Sequence, residues 1–105
     1  MIELNNDNFN EVINTGITIV DFYAVWCGPC RMQSPILEEV EEHYNDNKNV
    51  KVTKLNVDEV EEIAIKYGVM NIPTIIIFKN GEIAQKYIGL TAEDEIIEKI
   101  DSIIE

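Results

Sequence analysis

Residues 17–31 read Ile-Thr-Ile-Val-Asp-Phe-Tyr-Ala-Val-Trp-Cys-Gly-Pro-Cys-Arg. The first part of this stretch is apolar and rich in β-branched residues, and Asp21 is its only charged residue, so it predicts a strand buried in the centre of a sheet. Cys27 and Cys30 follow, separated by two residues. Because Pro29 suits the first turn of a helix, where its missing N–H is not needed, the two cysteines are expected at a strand-to-helix junction.

Predicted strands and helices alternate along the rest of the chain. Asp7 and Thr91 have side chains that favour helix N-caps, and each predicts a helix after it. Asp58, followed by Glu61, matches a capping box and predicts another helix. Apolar and polar residues alternate over 50–57, which predicts a strand there. The Asn80-Gly81 hairpin signal predicts that a strand over 74–78 pairs with another over 82–88. This order predicts an α/β protein in which helices flank a mixed sheet.

Length and charge limit the possible functions. The chain has 105 residues, 46% of them hydrophobic and 27% charged, which is typical of a single folded domain over residues 1–105. Its net charge of −12 excludes nucleic acid and an anionic membrane surface as partners, because both would repel it. No signal peptide or membrane span is recognised, so a cytoplasmic monomer is expected.

The spacing of the two cysteines indicates redox chemistry. A disulfide scaffold would need more cysteines that close longer loops. At a helix N-terminus, free N–H groups and the positive end of the helix dipole would stabilise a thiolate on Cys27, and the thiolate is the form that attacks a disulfide. Cys30 lies one helical turn later and can reach back to the same sulfur.

A zinc site is the alternative use of this pair. Cys27, Cys30 and His43 have the spacing of the first three ligands of a Cys2His2 finger, but the fourth would fall at 47–49, where the sequence has Asn, Lys and Asn. A closed structural zinc site needs four protein ligands. No metal site is therefore predicted, and His43 is expected to be a partly exposed surface residue.

The chain resembles the thioredoxin family. Residues 20–31 match the active-site signature of that family, and further matches are found at 54–58, 67–69, 72–74, 78–81 and 89. The resemblance implies the thioredoxin fold, a mixed sheet of about five strands flanked by about four helices. It also implies a protein disulfide reductase with Cys27 as nucleophile, Cys30 as resolving thiol, and no cofactor beyond the redox-active Cys27–Cys30 disulfide. The implied partners are a thioredoxin reductase and disulfide-containing target proteins.

The resemblance assigns roles to two further charged residues. Asp21 would accept the proton of Cys30, and Lys54 would be its buried partner. Burial should raise the pKa of Asp21. From the residues alone, a salt-bridged core pair without a kinetic role remains an equal alternative.

A groove for target proteins is implied beside an exposed Cys27. Pro73 would follow Ile72 through a cis peptide and face the cysteines, although the residues alone favour an ordinary proline at the start of a strand. The implied groove residues are Trp26, Gly28, Pro29, Ile72, Pro73, Thr74, Gly89 and Leu90. Tyr23 and Asn71 depart from the family pattern, where many members have Trp and Gly.

Two other functions remain open at this point. A disulfide oxidant or isomerase would run the same chemistry in the opposite direction, but Gly28-Pro29 between the cysteines argues against it. A binding module would use the groove beside Trp26 and Pro73 without redox turnover. The two cysteines and Asp21 argue against a purely structural protein.

Overall fold

Residues 1–104 are described by a computed structural model, in which helices cover both faces of one sheet. In chain order the elements are β1 (Ile2–Glu3), α1 (Phe9–Ile13), β2 (Ile17–Tyr23), α2 (Gly28–His43), β3 (Val50–Asn56), α3 (Glu61–Lys66), β4 (Thr74–Lys79), β5 (Glu82–Ile88) and α4 (Glu93–Ile103).

The five strands lie in the order β1-β3-β2-β4-β5, so β2 is the central strand, as predicted. It pairs parallel with β3 and antiparallel with β4, which confirms the mixed sheet. The sequence pattern does not predict β1, whose two residues pair parallel with β3. Because the cysteines directly follow β2, they lie at the middle of one end of the sheet.

Two apolar cores fill the faces of the sheet. Residues alternate along β2, so Ile17 and Ile19 belong to one core and Val20 and Phe22 to the other. The first core is closed by α2 and α4, and the second by α1 and α3. Asp21 is two residues after Ile19 in β2, so its side chain lies on the same face of the sheet as Ile19, the face that α2 covers.

Three predicted helix starts are wrong. The N-cap positions of α1, α3 and α4 are Asn8, Val60 and Ala92, and none of them makes a side-chain capping hydrogen bond. The residues predicted as caps have other partners: the Asp58 carboxylate accepts the Trp26 indole N–H, and the Thr91 hydroxyl donates to the Gly89 carbonyl. Asp7 lies in a turn closed by the Asn5 side chain.

The predicted hairpin turn is confirmed. Asn80 and Gly81 have φ values of 51° and 86°, and a type I′ turn needs a positive φ at both of these positions. The strand that follows spans Glu82–Ile88, the range that was predicted. The hairpin places the end of β5, and the loop after it, beside the start of β4.

Candidate active site

Cys27 is the N-cap residue of α2. Its backbone is extended and its sulfur accepts the backbone N–H of Cys30 at 3.3 Å, with Pro29 in the first turn as predicted. The thiol also lies 3.7 Å from the carbonyl oxygen of Ile72. Both cysteines are free, and the start of the helix thus brings Cys27 to the loop before β4.

The expectation of an exposed nucleophile is wrong. Cys27 is only 5% exposed, because it packs with Ala24 and Cys30, against which Val57 and Ile72 also lie. Little of the Cys27 side chain is therefore open to a reactant. Exposed residues, Gly28 and Pro29, border it on the helix side.

The surroundings of Cys30 keep it protonated. Burial raises the pKa of its thiol to about 12, and the hydrogen bond with Cys27 and the nearby charge of Asp21 act in the same direction. A thiol with this pKa is a poor nucleophile at neutral pH because little of it is thiolate. Cys30 needs a neighbouring base before it can attack.

Asp21 is a buried carboxyl beside Cys30. It is 3% exposed, and its Oδ1 atom has no hydrogen-bond partner among residues 1–104. Burial raises its pKa to about 7, against the opposing positive charge of Lys54. A carboxyl with this pKa can both take up and release a proton near neutral pH.

The expected burial of Lys54 is wrong. Its side chain is 37% exposed and its Nζ atom lies 3.7 Å from Glu3 Oε1 and 5.7 Å from the centre of the Tyr23 ring. Lys54 is the register partner of Asp21, which places the two side chains near each other. Within residues 1–104, however, the ion pair of Lys54 is with Glu3. Glu3 is not predicted as a competitor for Lys54, because the sequence pattern does not predict β1.

The residues that the resemblance implies for a groove differ in their contacts and their exposure. The Ile72–Pro73 peptide is cis, as the resemblance implies, and the Pro73 carbonyl accepts the Gly89 N–H at 2.8 Å. Thr74 is buried, and its hydroxyl donates to the Asn71 carbonyl. Two of these residues have large apolar side chains that are exposed: Trp26, at 66%, and Leu90.

Gln33 is a site residue that the sequence patterns above do not predict. This side chain is 0% exposed, and its amide forms two hydrogen bonds with the backbone of Thr91: Nε2 donates to the carbonyl at 3.0 Å, and Oε1 accepts the N–H at 2.8 Å. It therefore ties α2 to the loop that carries Gly89 and Leu90. Helical spacing offered a signal, since the buried residues of α2 are Cys30, Gln33, Leu37 and Val40.

Replacing Gln33 by leucine is expected to destabilise the fold by about 2 kcal/mol, because the buried N–H and carbonyl of Thr91 lose their partner. Urea unfolding measures this cost. Glu38→Leu is a control on the exposed side of the same helix, where a change within about 0.5 kcal/mol is expected. Equal stability of the two variants would show that the amide bonds contribute nothing.

Comparison with known proteins identifies the family. The sequence model of the thioredoxin family matches residues 1–102. The chain belongs to the thioredoxin family. It is 41% identical to the thioredoxin of Staphylococcus saprophyticus over 101 residues, which cover 96% of this chain and 95% of that protein. It is 36% identical to the thioredoxin of Bacillus subtilis with the same coverage.

A solved thioredoxin structure has the same fold. A mutant thioredoxin from Halobacterium salinarum superposes with a TM-score of 0.88 at 33% identity, covering 99% of this chain and 90% of the other. This similarity extends over the mixed sheet and the helices described above. The predicted thioredoxin fold is therefore confirmed.

Family membership establishes the type of chemistry. Thioredoxins are protein-disulfide oxidoreductases that use a redox-active dithiol and carry no bound cofactor, and Cys27 and Cys30 occupy the position of that dithiol. The family implies a thioredoxin reductase and disulfide-containing proteins as partners in general. Within residues 1–104, no cluster of three His, Cys, Asp or Glu residues is arranged to hold a metal ion. No helix in this range is long and apolar enough to cross a membrane.

Proposed function

We propose that this thioredoxin reduces disulfides in target proteins, with Cys27 as the nucleophile and Cys30 as the resolving thiol. The observation that carries this assignment is the difference between the surroundings of the two sulfurs. The Cys27 sulfur accepts a backbone N–H at the start of α2, whereas burial raises the pKa of the Cys30 thiol to about 12. Because the Cys30 thiol is held protonated, Cys27 is the sulfur that attacks first.

The reaction proceeds in two exchanges. The Cys27 thiolate attacks one sulfur of the target disulfide, the target S–S bond breaks, and a mixed disulfide forms while the released target thiolate takes up a proton. Cys30 then loses its proton and attacks the Cys27 sulfur. The Cys27–Cys30 bond forms, the second target sulfur leaves as a thiolate, and two electrons have passed to the target. A thioredoxin reductase would return two electrons to the oxidised protein.

Asp21 is proposed as the base for the second exchange. Its Oδ1, which has no hydrogen-bond partner among residues 1–104, and its pKa of about 7 suit a group that takes the Cys30 proton and later returns one. Lys54 is proposed to moderate this basicity, since its positive charge opposes the effect of burial. This effect of the Lys54 charge on Asp21 does not need a direct ion pair between the two side chains.

The groove is proposed to bind target proteins through shape and backbone contacts. Support comes from the exposed apolar side chains of Trp26, which precedes Cys27 in the chain, and Leu90, which follows the Gly89 that is hydrogen-bonded to Pro73. The remaining proposed groove residues are Gly28, Pro29, Ile72, Pro73, Thr74 and Gly89. A mainly apolar groove, with the Asp58 carboxylate beside the Trp26 indole, would accept many different target sequences.

We place the protein in the cytoplasm, because a reductant of this kind must be kept in its dithiol form and the cytosol keeps thiols reduced. It is proposed to act as a monomer and as one domain over residues 1–105. The net charge of −12 opposes binding to nucleic acid and to anionic membranes.

The equilibrium reduction potential of the Cys27–Cys30 pair tests the proposed direction. We expect about −270 mV, the value typical of thioredoxins, when the protein is equilibrated with a defined thiol buffer. A value between about −180 and −120 mV is typical of isomerases and oxidants and would contradict a reducing role. The Cys27→Ser variant is the control, because it cannot form the bond and should show no redox transition.

A further inference from the structure

Three charged side chains form a row across the sheet beside the cysteines. Glu3 of β1 is the register partner of Lys54 of β3, and Lys54 is the register partner of Asp21 of β2. Register partners in a sheet point to the same face, so the row carries an acidic, a basic and an acidic group side by side. The central ammonium lies 3.7 Å from the exposed carboxylate of Glu3, and its positive charge also acts on the buried carboxyl of Asp21.

We propose that Glu3 is a positioning residue for the second exchange: it holds the Lys54 ammonium away from Asp21 and so keeps Asp21 able to take the Cys30 proton. The inference rests on the role of Asp21 proposed above. It assigns a function to a residue of β1 that the sequence analysis did not consider.

The contacts of Glu3 support this role. Its Oε1 atom lies 3.7 Å from Lys54 Nζ, and both of its carboxylate oxygens accept the Tyr23 hydroxyl at 3.1 Å. The Tyr23 ring in turn lies 5.7 Å from the same ammonium. The Lys54 ammonium is thus held in an ion pair with Glu3, with the Tyr23 ring beside it, whereas Oδ1 of Asp21 has no hydrogen-bond partner within residues 1–104.

The charged groups around Asp21 determine whether loss of the Glu3 charge makes Asp21 a stronger or a weaker base. The groups that act on it or lie next in the row are Cys30 of α2, Tyr23 of its own strand, Lys54 of β3 and Glu3 of β1. Beyond them Glu59 acts on Tyr23, and β4 contributes the apolar Ile75 at the same register position. An ammonium released from Glu3 would move toward the remaining carboxylate and stabilise its charged form. Asp21 would then be a weaker base for the Cys30 thiol.

Glu3→Gln tests the inference, because it removes the charge and keeps the size of the side chain. We expect the pKa of Asp21, measured by carbon NMR of its carboxyl group in the reduced protein, to fall by about one unit. The pH profile of mixed-disulfide release in single turnover should move down by the same amount. Tyr23→Phe keeps both charges of the Glu3–Lys54 pair and should shift the profile less. Glu82→Gln removes an equal charge at the opposite edge of the sheet and should not shift it.

Two results would overturn the inference. One is an unchanged or higher pKa of Asp21 in Glu3→Gln, and the other is a lower pKa without a matching shift of the release profile. The Asp21→Asn variant identifies the separate failure of the proposed function. If it released mixed disulfides as fast as the unaltered protein, Asp21 would not be the base at all, whatever Glu3 does to its pKa.

Discussion

Replacing Cys30 by serine is expected to stop turnover and to leave target proteins covalently attached to Cys27. The first exchange needs only the Cys27 sulfur, which keeps its place at the start of α2. The second exchange lacks its nucleophile, because a serine hydroxyl cannot displace the target sulfur. We expect disulfide reduction to fall by more than about 1,000-fold, as is common when a nucleophile is removed. Rates with a protein disulfide, together with non-reducing electrophoresis and mass spectrometry of adducts, measure both effects.

The matched control is Cys27→Ser, which should lose turnover without trapping any target. The structure distinguishes the two cysteines, since burial raises the pKa of the Cys30 thiol to about 12 and leaves it a poor first nucleophile. Adducts that formed on Cys27→Ser and not on Cys30→Ser would reverse the assigned order. If the variant with both serines kept full biological activity, a binding module that works without redox turnover would be favoured.

Local sequence patterns were sufficient to predict the centre of the fold. The buried strand, the proline-started helix and the Asn80-Gly81 turn each depend on residues adjacent in the chain, and all three are present. The cysteine geometry follows from the same junction, because a strand end and a helix start determine where Cys27 and Cys30 lie. The resemblance added the cis peptide before Pro73, for which the residues alone favoured a different explanation.

The errors arose where a side chain had a choice of distant partners. Asp58 could cap the helix that follows it or accept the Trp26 indole, and only the folded chain brings Trp26 close enough to compete. Lys54 could pair with Asp21 or with Glu3, and the second choice depends on a two-residue strand with no pattern of its own. Local propensity cannot decide between contacts that are far apart in the sequence.

Asp21→Asn is expected to stabilise the fold at neutral and alkaline pH, and this effect should disappear in acid. The pKa of the carboxyl is about 7 in the folded protein, against an ordinary value of 3.8. The folded state therefore binds the proton more tightly, so its stability decreases as the pH rises from 3.8 and reaches its full loss above 7. The shift corresponds to a loss of ~4 kcal/mol, which an asparagine avoids because it does not ionise.

Urea unfolding of both proteins between pH 4 and pH 8 measures this difference, which should be small at the acid end and approach ~4 kcal/mol at the other. Asp46→Asn, in an exposed loop, is the control and should differ by less than about 0.5 kcal/mol at every pH. A difference that did not change with pH would mean that Asp21 does not titrate in this range.

The same variant should slow release of mixed disulfides by at least about 100-fold, the usual effect of losing a general base. Stability and activity would then change in opposite directions at one side chain. The reason is physical: the buried carboxyl of Asp21 costs stability because burial opposes its charge, and burial is also what makes it basic enough to deprotonate Cys30. A group that satisfied the fold better, through a close ion pair with Lys54, would be a weaker base.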